Sequence, residues 1–381
     1  MTVELPIQPP ARLGMLGGGQ LGRMFAQAAM AMGYEVAVID PDPLSPTGQI
    51  ATRHIQAPYT DAAALEEIAT TCAAVSIEFE SVPSQALQQL QGRVRLAPDV
   101  QAVEIAQNRL LEKSFAREHG LATADFAAIY SLKDTAAAFD AIGPDCIIKT
   151  ATLGYDGKGQ AVCTSLADVR EAFDRFGGVT CILEQRIDLR TEVSVVLARS
   201  DDGTISCFPP AENTHVNGIL DLSVVPAQVD RALSDEATRL ASSLAAALDY
   251  VGVLGVEMFV SRDGDVLINE MAPRPHNSGH YTLDATVTSQ FEQQVRMMCA
   301  LPHGDCSLTS PVAMWNLLGD VWANGEPDWQ AGIPAHGHLH LYGKAEARTG
   351  RKMGHINVLG EDAISARRDA LAIKQRLTPN T

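Results

Sequence analysis

The chain has 381 residues, of which 46% are hydrophobic, and a formal net charge of −17. This composition can fill hydrophobic cores and excludes a disordered protein, and the length predicts two or three domains. A strongly acidic surface repels nucleic acid and acidic membranes, so neither is an expected partner.

The first hundred residues alternate segments typical of strands and of helices. ARLGMLG, YEVAVID, AAVSIEF and RVRLAP predict strands, and QLGRMFAQAAMAMG, ALEEIATTC and SQALQQLQ predict the helices between them. Such alternation predicts a parallel sheet with helices on its faces. We therefore expect an N-terminal doubly wound α/β domain over residues 1–107.

From about Asn108 the pattern changes. NRLLEKSFAREHG predicts an amphipathic helix that ends at Gly120, and CIIKT, QAVCT, CILEQ and TEVSVVLAR predict the strands that follow. A long helix is predicted over 237–250 and two strands over 251–271. We expect a mixed α+β region over 108–300 and a small β-rich C-terminal domain over 301–381.

The cellular compartment is predicted from two features. The N-terminus lacks the basic start and apolar stretch of a secretory signal, and no apolar run approaches the roughly 20 residues of a membrane span. The seven cysteines have irregular spacing without a C-x-x-C pair, which is typical of unpaired thiols in a reducing cytoplasm. We therefore expect a cytoplasmic protein.

A glycine-rich motif follows the first predicted strand. Gly17 to Gly22 fits G-x-G-x-x-G and opens a predicted helix, and Asp40 ends the next strand. This is the context of a dinucleotide-binding fingerprint, so an NAD-dependent dehydrogenase is one alternative. The same turn can also hold another phosphate or none. A dehydrogenase would leave the motifs described next without a role.

Two glutamates lie in otherwise apolar predicted strands, Glu257 in GVLGVEMFV and Glu270 in VLINEMA. If Asp263-Gly264 form a two-residue hairpin turn, Glu257 lies directly opposite Glu270. Like charges at opposed positions repel each other, and a divalent cation between them would remove that penalty. Carboxylate oxygens suit Mg²⁺, which commonly shares them with substrate phosphates. Solvent-facing glutamates and a proton-sharing pair remain alternatives.

A second motif is CIIKTATLGYDGKGQAV at residues 146–162. Lys149 ends an apolar strand, and Lys158 lies in the glycine-rich loop that follows. Such a loop can close over phosphates while lysines neutralise their charge. An ordinary flexible hairpin is the alternative. In the next motif, ILEQRIDLRTEVSVV, Glu184 to Ile187 leave a strand and Glu192 begins another, a hinge that can offer groups to adenine and ribose.

Polar and basic side chains cluster in two further places. APRPHNSGHYT follows Glu270 directly and favours an anion-binding site beside a metal. The stretch 344–352 is basic on an acidic chain, which favours an anionic small substrate, with a solvated loop as the alternative. The side chains concerned are Arg274, His276, Asn277, Ser278 and His280 in the first place, and Lys344, Arg348, Arg351 and Lys352 in the second.

The strings IIKTATLGYDGKGQ, ILEQ and VEMF…INEMAPRPHNSGH resemble the ATP-grasp ligases. The last of them, with GRKMGHIN at 350–357 and GGGQLGRM at 17–24, is similar to the 5-(carboxyamino)imidazole ribonucleotide synthases. The similarity runs from about Arg12 to Val358. It implies a pre-ATP-grasp domain, an ATP-grasp domain of two subdomains over 108–300, a small C-terminal domain and a homodimer.

The resemblance also implies a reaction. ATP, bicarbonate and 5-aminoimidazole ribonucleotide would give the N-carboxylated ribonucleotide, ADP and phosphate, in purine biosynthesis. Bicarbonate would attack the γ-phosphate to form carboxyphosphate, and the amine would capture the carboxyl group after CO2 release in a closed site. A formate-dependent glycinamide ribonucleotide transformylase and a biotin carboxylase are alternatives that the substrate-side strings disfavour.

The resemblance assigns roles to individual residues. Mg²⁺ would bind Glu257 and Glu270. Catalytic roles would fall to Lys149, Arg274, Lys352 and Glu78, with Glu78 or Lys352 moving the amine proton. ATP would contact Arg109, Lys149, Gly154, Tyr155, Asp156, Gly157, Lys158, Gly159, Gln160, Glu184, Gln185, Arg186, Ile187, Glu192, His215, Asn269 and Glu270. The other substrates would contact Gln20, Leu21, Glu78, Tyr155, Arg274, His276, Asn277, Ser278, Lys344, Arg351 and Lys352.

The chain departs from the family pattern in two places. Ala151 and Thr152 stand where family members commonly carry arginine after the lysine that matches Lys149. Ala272 stands where many ATP-grasp enzymes have an asparagine beside the second metal carboxylate. We therefore expect no phosphate contact from Ala151 or Thr152. With Ala272 beside the second metal carboxylate, we expect the metal to depend more on water or on Asn269.

Overall fold

A computed structural model describes residues 5–152, 154 and 159–378. Its N-terminal part is a parallel sheet with the strand order β3-β2-β1-β4-β5. The strands are β1 (Arg12–Leu16), β2 (Glu35–Ile39), β3 (Arg53–Ile55), β4 (Ala74–Ile77) and β5 (Arg95–Leu96), and the helices are α1 (Gln20–Ala31), α2 (Ala62–Thr71), α3 (Ser84–Leu90) and α4 (Val100–Ala106). Strand β3 was not predicted, and the strand predicted at RVRLAP is only two residues long.

The next part is a small antiparallel sheet with the order β6-β9-β7-β8. Helix α5 precedes it and ends before Gly120, whose φ of +69° only glycine adopts easily. The elements are α5 (Arg109–Glu118), β6 (Phe126–Ile129), α6 (Asp134–Ile142), β7 (Cys146–Thr150), β8 (Gln160–Cys163), α7 (Leu166–Arg175) and β9 (Cys181–Gln185).

The rest of the chain builds a nine-stranded sheet with the order β15-β14-β10-β12-β13-β16-β18-β17, and β11 pairs with β10. Its strands are β10 (Leu189–Arg199), β11 (Ile205–Cys207), β12 (Ala211–Val216), β13 (Ile219–Val225), β14 (Gly252–Ser261), β15 (Val266–Ala272), β16 (Val312–Leu318), β17 (Gly337–Leu341) and β18 (Lys352–Leu359). The helices are α8 (Arg231–Ala247), α9 (Thr282–Ala285), α10 (Gln290–Met298), α11 (Trp329–Gly332) and α12 (Ala363–Leu377).

This large sheet continues through the predicted C-terminal domain, because β13 pairs with β16. Apolar side chains of α8 pack on β10, β14 and β15, and those of α12 pack on β13, β16 and β18. The sheet and its helices therefore join residues on both sides of position 300. The domain boundaries at 107/108 and 300/301 remain predictions.

Helix α10 connects the N-terminal sheet to the large sheet. Its apolar side chains Phe291 and Val295 pack in the same core as Phe25 of α1. Gln294 accepts a hydrogen bond from the Val253 N–H at 2.6 Å and donates to Ser76 Oγ at 2.9 Å. These two hydrogen bonds hold β4 beside the start of β14.

No helix in the described part of the chain combines the length and the apolar character that crossing a membrane requires. All seven cysteines carry unpaired thiols, and six of them are buried.

Candidate active site

Glu257 and Glu270 face each other across the hairpin formed by β14 and β15. The Glu257 side chain is 14% exposed, and Glu270 is open to solvent. Burial, and then the charge of Glu270, raise the pKa of Glu257 to about 8. Without a cation, this pair therefore resists carrying two full charges.

The two carboxylates fit Mg²⁺, which takes oxygen ligands and completes its shell with water and phosphate oxygens. In the part of the chain that the structure describes, no group of three His, Cys, Asp or Glu side chains is arranged to hold a metal. The remaining ligands would therefore come from ATP and water. Ala272 pairs with Gly255 and offers no side-chain ligand.

The hairpin loop is one residue longer than the predicted two-residue turn, so that prediction is wrong. Ser261 donates its N–H to the Asp265 carbonyl at 2.9 Å, so residues 262–264 form a three-residue loop. An extra residue, Asn269, then shifts the register, so that Met258 pairs with Ile268 but Glu257 pairs with Glu270. This bulge reverses the shift caused by the longer loop and restores the predicted pairing.

His215 and Glu192 lie beside the paired carboxylates on neighbouring strands. His215 Nδ1 is 2.7 Å from Glu192 Oε2. Burial alone would lower the pKa of His215, but the contact with Glu192 and the charges of Glu257, Glu192 and Glu270 outweigh it and raise the pKa. The structure thus brings four predicted nucleotide-site or metal-site residues together.

Lys149 and Glu184 form a buried ion pair at the ends of β7 and β9. Lys149 Nζ lies 2.6 Å from Glu184 Oε2, and the side chains are 13% and 3% exposed. Burial opposes ionisation of Glu184, but Lys113 and Lys149 lower its pKa. Lys149 pairs across the hairpin with Gln160, which is exposed at the start of β8.

Arg109, in the first turn of α5, holds the start of the glycine-rich loop. Its guanidinium donates to the carbonyls of Thr150 at 3.1 Å and Gly154 at 2.5 Å. At the other end, the Gly159 carbonyl accepts from the Thr150 N–H at 2.9 Å. The predicted residues Tyr155, Asp156, Gly157 and Lys158 lie outside the described residues.

The predicted hinge leaves β9 as expected, but two of its N–H groups already have partners. Gln185 donates its N–H to the Asp125 carbonyl at 2.8 Å, and Arg186 donates to the Asp145 carbonyl at 3.1 Å. The Arg186 guanidinium also pairs with the Asp145 carboxylate at 3.0 Å. An adenine at this hinge would need other backbone groups, such as those of Ile187.

A cavity of ≈ 210 Å³ lies where the N-terminal sheet meets the segment after β15. Segments that are far apart in the sequence converge on it: the start of α1, the end of β4, the polar segment after Glu270 and the start of β18. Its lining consists of Gln20, Leu21, Glu78, Phe79, Arg274, His276, Asn277 and Lys352. All of these except Phe79 were predicted to contact substrate.

Three other predicted substrate residues within the described part of the chain lie off this lining. Ser278 is fully buried behind the cavity, where its hydroxyl contacts Ser194 Oγ at 2.7 Å and His276 Nδ1 at 2.8 Å. Lys344 donates to the Lys352 carbonyl at 2.7 Å. Arg351 donates to the Glu346 carbonyl at 3.0 Å.

His276 connects the cavity with the paired carboxylates. Its Nδ1 accepts from the Ser278 backbone N–H at 3.3 Å, so the proton of the neutral ring lies on Nε2. That Nε2 is 3.1 Å from Glu257 Oε1. Burial lowers the pKa of His276 well below its usual value, and the ring therefore stays neutral.

Glu78 is buried at the cavity wall and accepts the Leu21 N–H at 3.2 Å. Burial raises its pKa, although the charge of Arg274 opposes the shift. A side chain at Gly19 would meet Glu78 Oε1 at 2.5 Å, so this close approach requires glycine.

The other glycines of the motif are packed against the protein itself. Asp40 accepts the Gly18 N–H at 2.7 Å and the Tyr59 hydroxyl at 2.9 Å. A side chain at Gly18 would meet Ser45 and Asp40 at under 3 Å. These contacts occupy the acidic side chain that a dinucleotide ribose would need, which disfavours the dehydrogenase alternative.

The sequence reasoning missed three charged residues near this site. Glu80 accepts from Arg274 Nε at 2.7 Å and so orients that guanidinium. Glu80 lies two residues after Glu78 in SIEFESVP, and this proximity was a usable signal. Glu112 and Lys113 are buried beneath β15, on the face of α5 that also carries Ala116. No comparable signal marks these two residues in the sequence, because charged side chains on a helix are typical of a solvated face.

Comparison with known proteins identifies three families along the chain. Their models are the ribonucleotide synthetase preATP-grasp domain at residues 11–107, the ATP-grasp domain at 114–291 and the phosphoribosylaminoimidazole carboxylase C-terminal domain at 312–369. The N5-carboxyaminoimidazole ribonucleotide synthase of Bacillus subtilis (strain 168) is 43% identical over 353 residues, covering 93% of this chain and 92% of the relative.

Solved structures show the same similarity. An ADP complex of an N5-carboxyaminoimidazole ribonucleotide synthetase has a TM-score of 0.92 at 42% identity and covers 98% of each chain. The synthase from Aspergillus clavatus, in complex with ADP and 5-aminoimidazole ribonucleotide, has a TM-score of 0.89 at 29% identity. That match covers 97% of this chain and 99% of the other.

Proposed function

The chain belongs to the N5-carboxyaminoimidazole ribonucleotide synthase family, and from this premise we propose how its residues carry out that reaction. The ATP-grasp fold predicted from the sequence is confirmed by the family match. The protein is an ATP-dependent ligase of purine biosynthesis that carboxylates 5-aminoimidazole ribonucleotide, with ADP and phosphate as the other products.

One observation carries the residue assignment. The short segment from Glu270 to Asn277 bears a carboxylate of the proposed metal site at one end and lines the cavity with Arg274, His276 and Asn277 at the other. A ligand in the cavity and a nucleotide at the paired carboxylates would therefore lie at opposite ends of one short segment. Transfer of a group between the two requires this proximity.

The nucleotide side holds and neutralises phosphates. Lys149 would exchange its contact with Glu184 for phosphate oxygens, and Arg109 holds the loop that covers them. When bound, Mg²⁺ on Glu257 and Glu270 would supply positive charge to the β- and γ-phosphate oxygens. Glu192 and His215 would face the ribose. Phosphoryl transfer needs little else, because positioning and charge neutralisation account for most of its catalysis.

The cavity side carries the chemistry of the carboxyl group. A bicarbonate oxygen attacks the γ-phosphorus, and the bond to ADP breaks. Arg274, fixed by Glu80, would bind the resulting carboxyphosphate beside His276. Carboxyphosphate then breaks down to CO2 and phosphate. The amine nitrogen of the ribonucleotide bonds to the carbon of the released CO2. Glu78 would take the amine proton, and Lys352 would bind the ribonucleotide.

Other parts of this proposal follow from the resemblance. They are Mg²⁺ as the metal, bicarbonate as the carboxyl donor, a homodimer and a cytoplasmic location. The polar lining of the cavity, with Arg274 and Lys352 on its wall, supports anionic substrates.

An assay of ADP release tests the proposal. The protein is incubated with MgATP and with bicarbonate, aminoimidazole ribonucleotide or both. We expect rapid ADP release only with both. Release that requires formate and glycinamide ribonucleotide instead would reject the substrate assignment. A change in NADH absorbance without ATP consumption would reject the ligase itself.

A further inference from the structure

Strand β15 is the edge strand of the large sheet, and two buried charged residues of α5 hold its outer side. Lys113 Nζ donates to the Ile268 carbonyl at 3.0 Å. Glu112 Oε1 accepts the Met271 N–H at 2.5 Å. Lys113 is 1% exposed and Glu112 is 4% exposed. The two backbone groups lie immediately before and after Asn269 and Glu270.

This arrangement meets a specific structural need. An edge strand presents N–H and C=O groups that no neighbouring strand satisfies, and a bulge further weakens the local pairing. The Ile268 N–H is taken by the Ala122 carbonyl at 2.8 Å. Lys113 and Glu112 take the groups on either side of the bulge, so α5 fixes the bulged backbone in one conformation.

Full burial of a lysine and a glutamate is costly and rare in protein cores. Apolar residues at these helical positions would cover β15 equally well but would leave the Ile268 carbonyl and the Met271 N–H without their partners. The charged pair is therefore matched to the backbone of this segment. The position of Glu270 depends on that backbone, because moving the bulge by one residue turns its side chain to the other face.

We propose that Glu112 and Lys113 are positioning residues of the nucleotide site, which fix the bulge at Asn269 and thereby hold Glu270 opposite Glu257. The inference rests on the proposed function only in that Glu257 and Glu270 bind the metal of the nucleotide. Glu112 acts here as a hydrogen-bond acceptor for Met271, and its negative charge is not what the role requires.

Substitutions separate the acceptor from the charge. Glu112→Gln keeps an oxygen for the Met271 N–H, whereas Glu112→Leu removes it, and Lys113→Met removes the donor to Ile268. We expect Glu112→Gln to stay within about threefold of the wild type. Glu112→Leu and Lys113→Met should weaken metal–nucleotide binding about 10- to 100-fold, the usual effect of losing a group that orients a metal ligand.

Binding is measured directly with Mn²⁺ and ADP, by the electron paramagnetic resonance signal of free Mn²⁺, alongside the KM for MgATP. Lys374→Met is the matched control, because Lys374 of α12 makes an ion pair of 2.6 Å with Asp221 of β13, four strands away from β15 in the sheet order. The control should lower thermal stability and leave Mn²⁺–ADP binding unchanged.

Distinct outcomes would overturn distinct claims. Loss of binding in Glu112→Gln equal to that in Glu112→Leu would show that the charge matters and would reject the positioning role. Wild-type binding in both Lys113→Met and Glu112→Leu would reject it as well. If Glu112→Leu does not fold, Glu112→Gln and Lys113→Met decide alone. Failure of the wild-type protein itself to bind Mn²⁺ with ADP would instead reject the nucleotide-site assignment.

Discussion

Glu257 stands directly opposite Glu270 across the β14–β15 hairpin, and the second carboxylate helps to raise the pKa of the first to about 8. Such a pair is a source of repulsion in the metal-free protein and a binding site once a cation is present.

Glu270→Gln should remove both effects. We expect kcat for ATP-dependent turnover to fall by about 10² or more, in line with the loss of a group that stabilises transferring phosphate. The metal-free variant should melt no lower than the wild type, because repulsion is relieved, but Mg²⁺ with ADP should no longer raise its melting temperature. Glu236→Gln, at a surface pair with Arg239, is the control. Near-normal turnover in Glu270→Gln would contradict the metal assignment.

The basic stretch at 344–352 should divide into residues with unequal roles. Lys352 lines the cavity, whereas Arg351 donates to the backbone of Glu346. Lys352→Ala should raise the KM for the ribonucleotide or lower kcat by about tenfold or more, and Arg351→Ala should have a smaller effect. Steady-state kinetics with each substrate varied in turn gives the comparison. An effect of Lys352→Ala on ATP alone, or equal effects of the two variants, would be inconsistent with this division.

Glu80→Gln tests how Arg274 is oriented. The Glu80 carboxylate holds the Arg274 guanidinium, whose charge in turn lowers the pKa of Glu80 against the effect of burial. Loss of this ion pair should free the guanidinium and reduce kcat/KM for bicarbonate by about 10-fold, with the KM for ATP nearly unchanged. Glu66→Gln, which breaks the exposed pair with Arg93, should leave both constants as they are. A change only in ATP binding would show that Glu80 acts elsewhere.

The carboxylate pairing could be predicted from the sequence, because glutamates in apolar strands on either side of an Asp-Gly turn have few possible registers. The turn itself was predicted wrongly, since Asp-Gly also fits the end of a three-residue loop with glycine at positive φ. Side chains alternate between the two faces of a strand, so residues on the buried face are two positions apart. The buried residues Ile268 and Met271 are three positions apart, and this break in the period was a signal for the bulge.

Contacts between distant segments could not be predicted in this way. Lys113 and its partner Ile268 are 155 residues apart, and Arg274 and Glu80 are 194 residues apart. On the helix pattern alone, the Glu-Lys pair at 112–113 is typical of a solvated face, because burial of charge depends on what packs above it. The cavity could be predicted only through the family resemblance, which assigned Leu21, Glu78 and Lys352 to substrate binding.

Gly264 provides a test of the loop. Its φ is +93°, and a side chain there would meet no atom within 4 Å, so only backbone strain opposes a substitution. Gly264→Ala should lower the free energy of unfolding by about 1 kcal/mol. Because the bulge at Asn269 fixes the carboxylates independently of the loop, kcat should change little. Urea unfolding and ADP release measure the two quantities, and a large loss of kcat would show that the loop itself sets the register of Glu257.

Glu78 gives the protein a defined pH dependence. Burial raises its pKa above the usual value for glutamate, and a base must be deprotonated to accept the amine proton. The kcat/KM for the ribonucleotide should therefore fall as the pH drops through this raised pKa. Glu78→Gln should remove that acidic limb and lower kcat by about 10²-fold, while Glu80→Gln should retain the limb.

The stability of the same variant has a predictable sign. A carboxyl group whose pKa is higher in the folded than in the unfolded state favours folding when protonated, and this contribution is lost as the pH rises through the folded pKa. At pH 8, Glu78→Gln should therefore unfold at the same or a higher urea concentration than the wild type, since the amide oxygen can still accept the Leu21 N–H. A clear loss of stability at pH 8 would contradict the raised pKa of Glu78. An unchanged acidic limb would assign the proton transfer to another group.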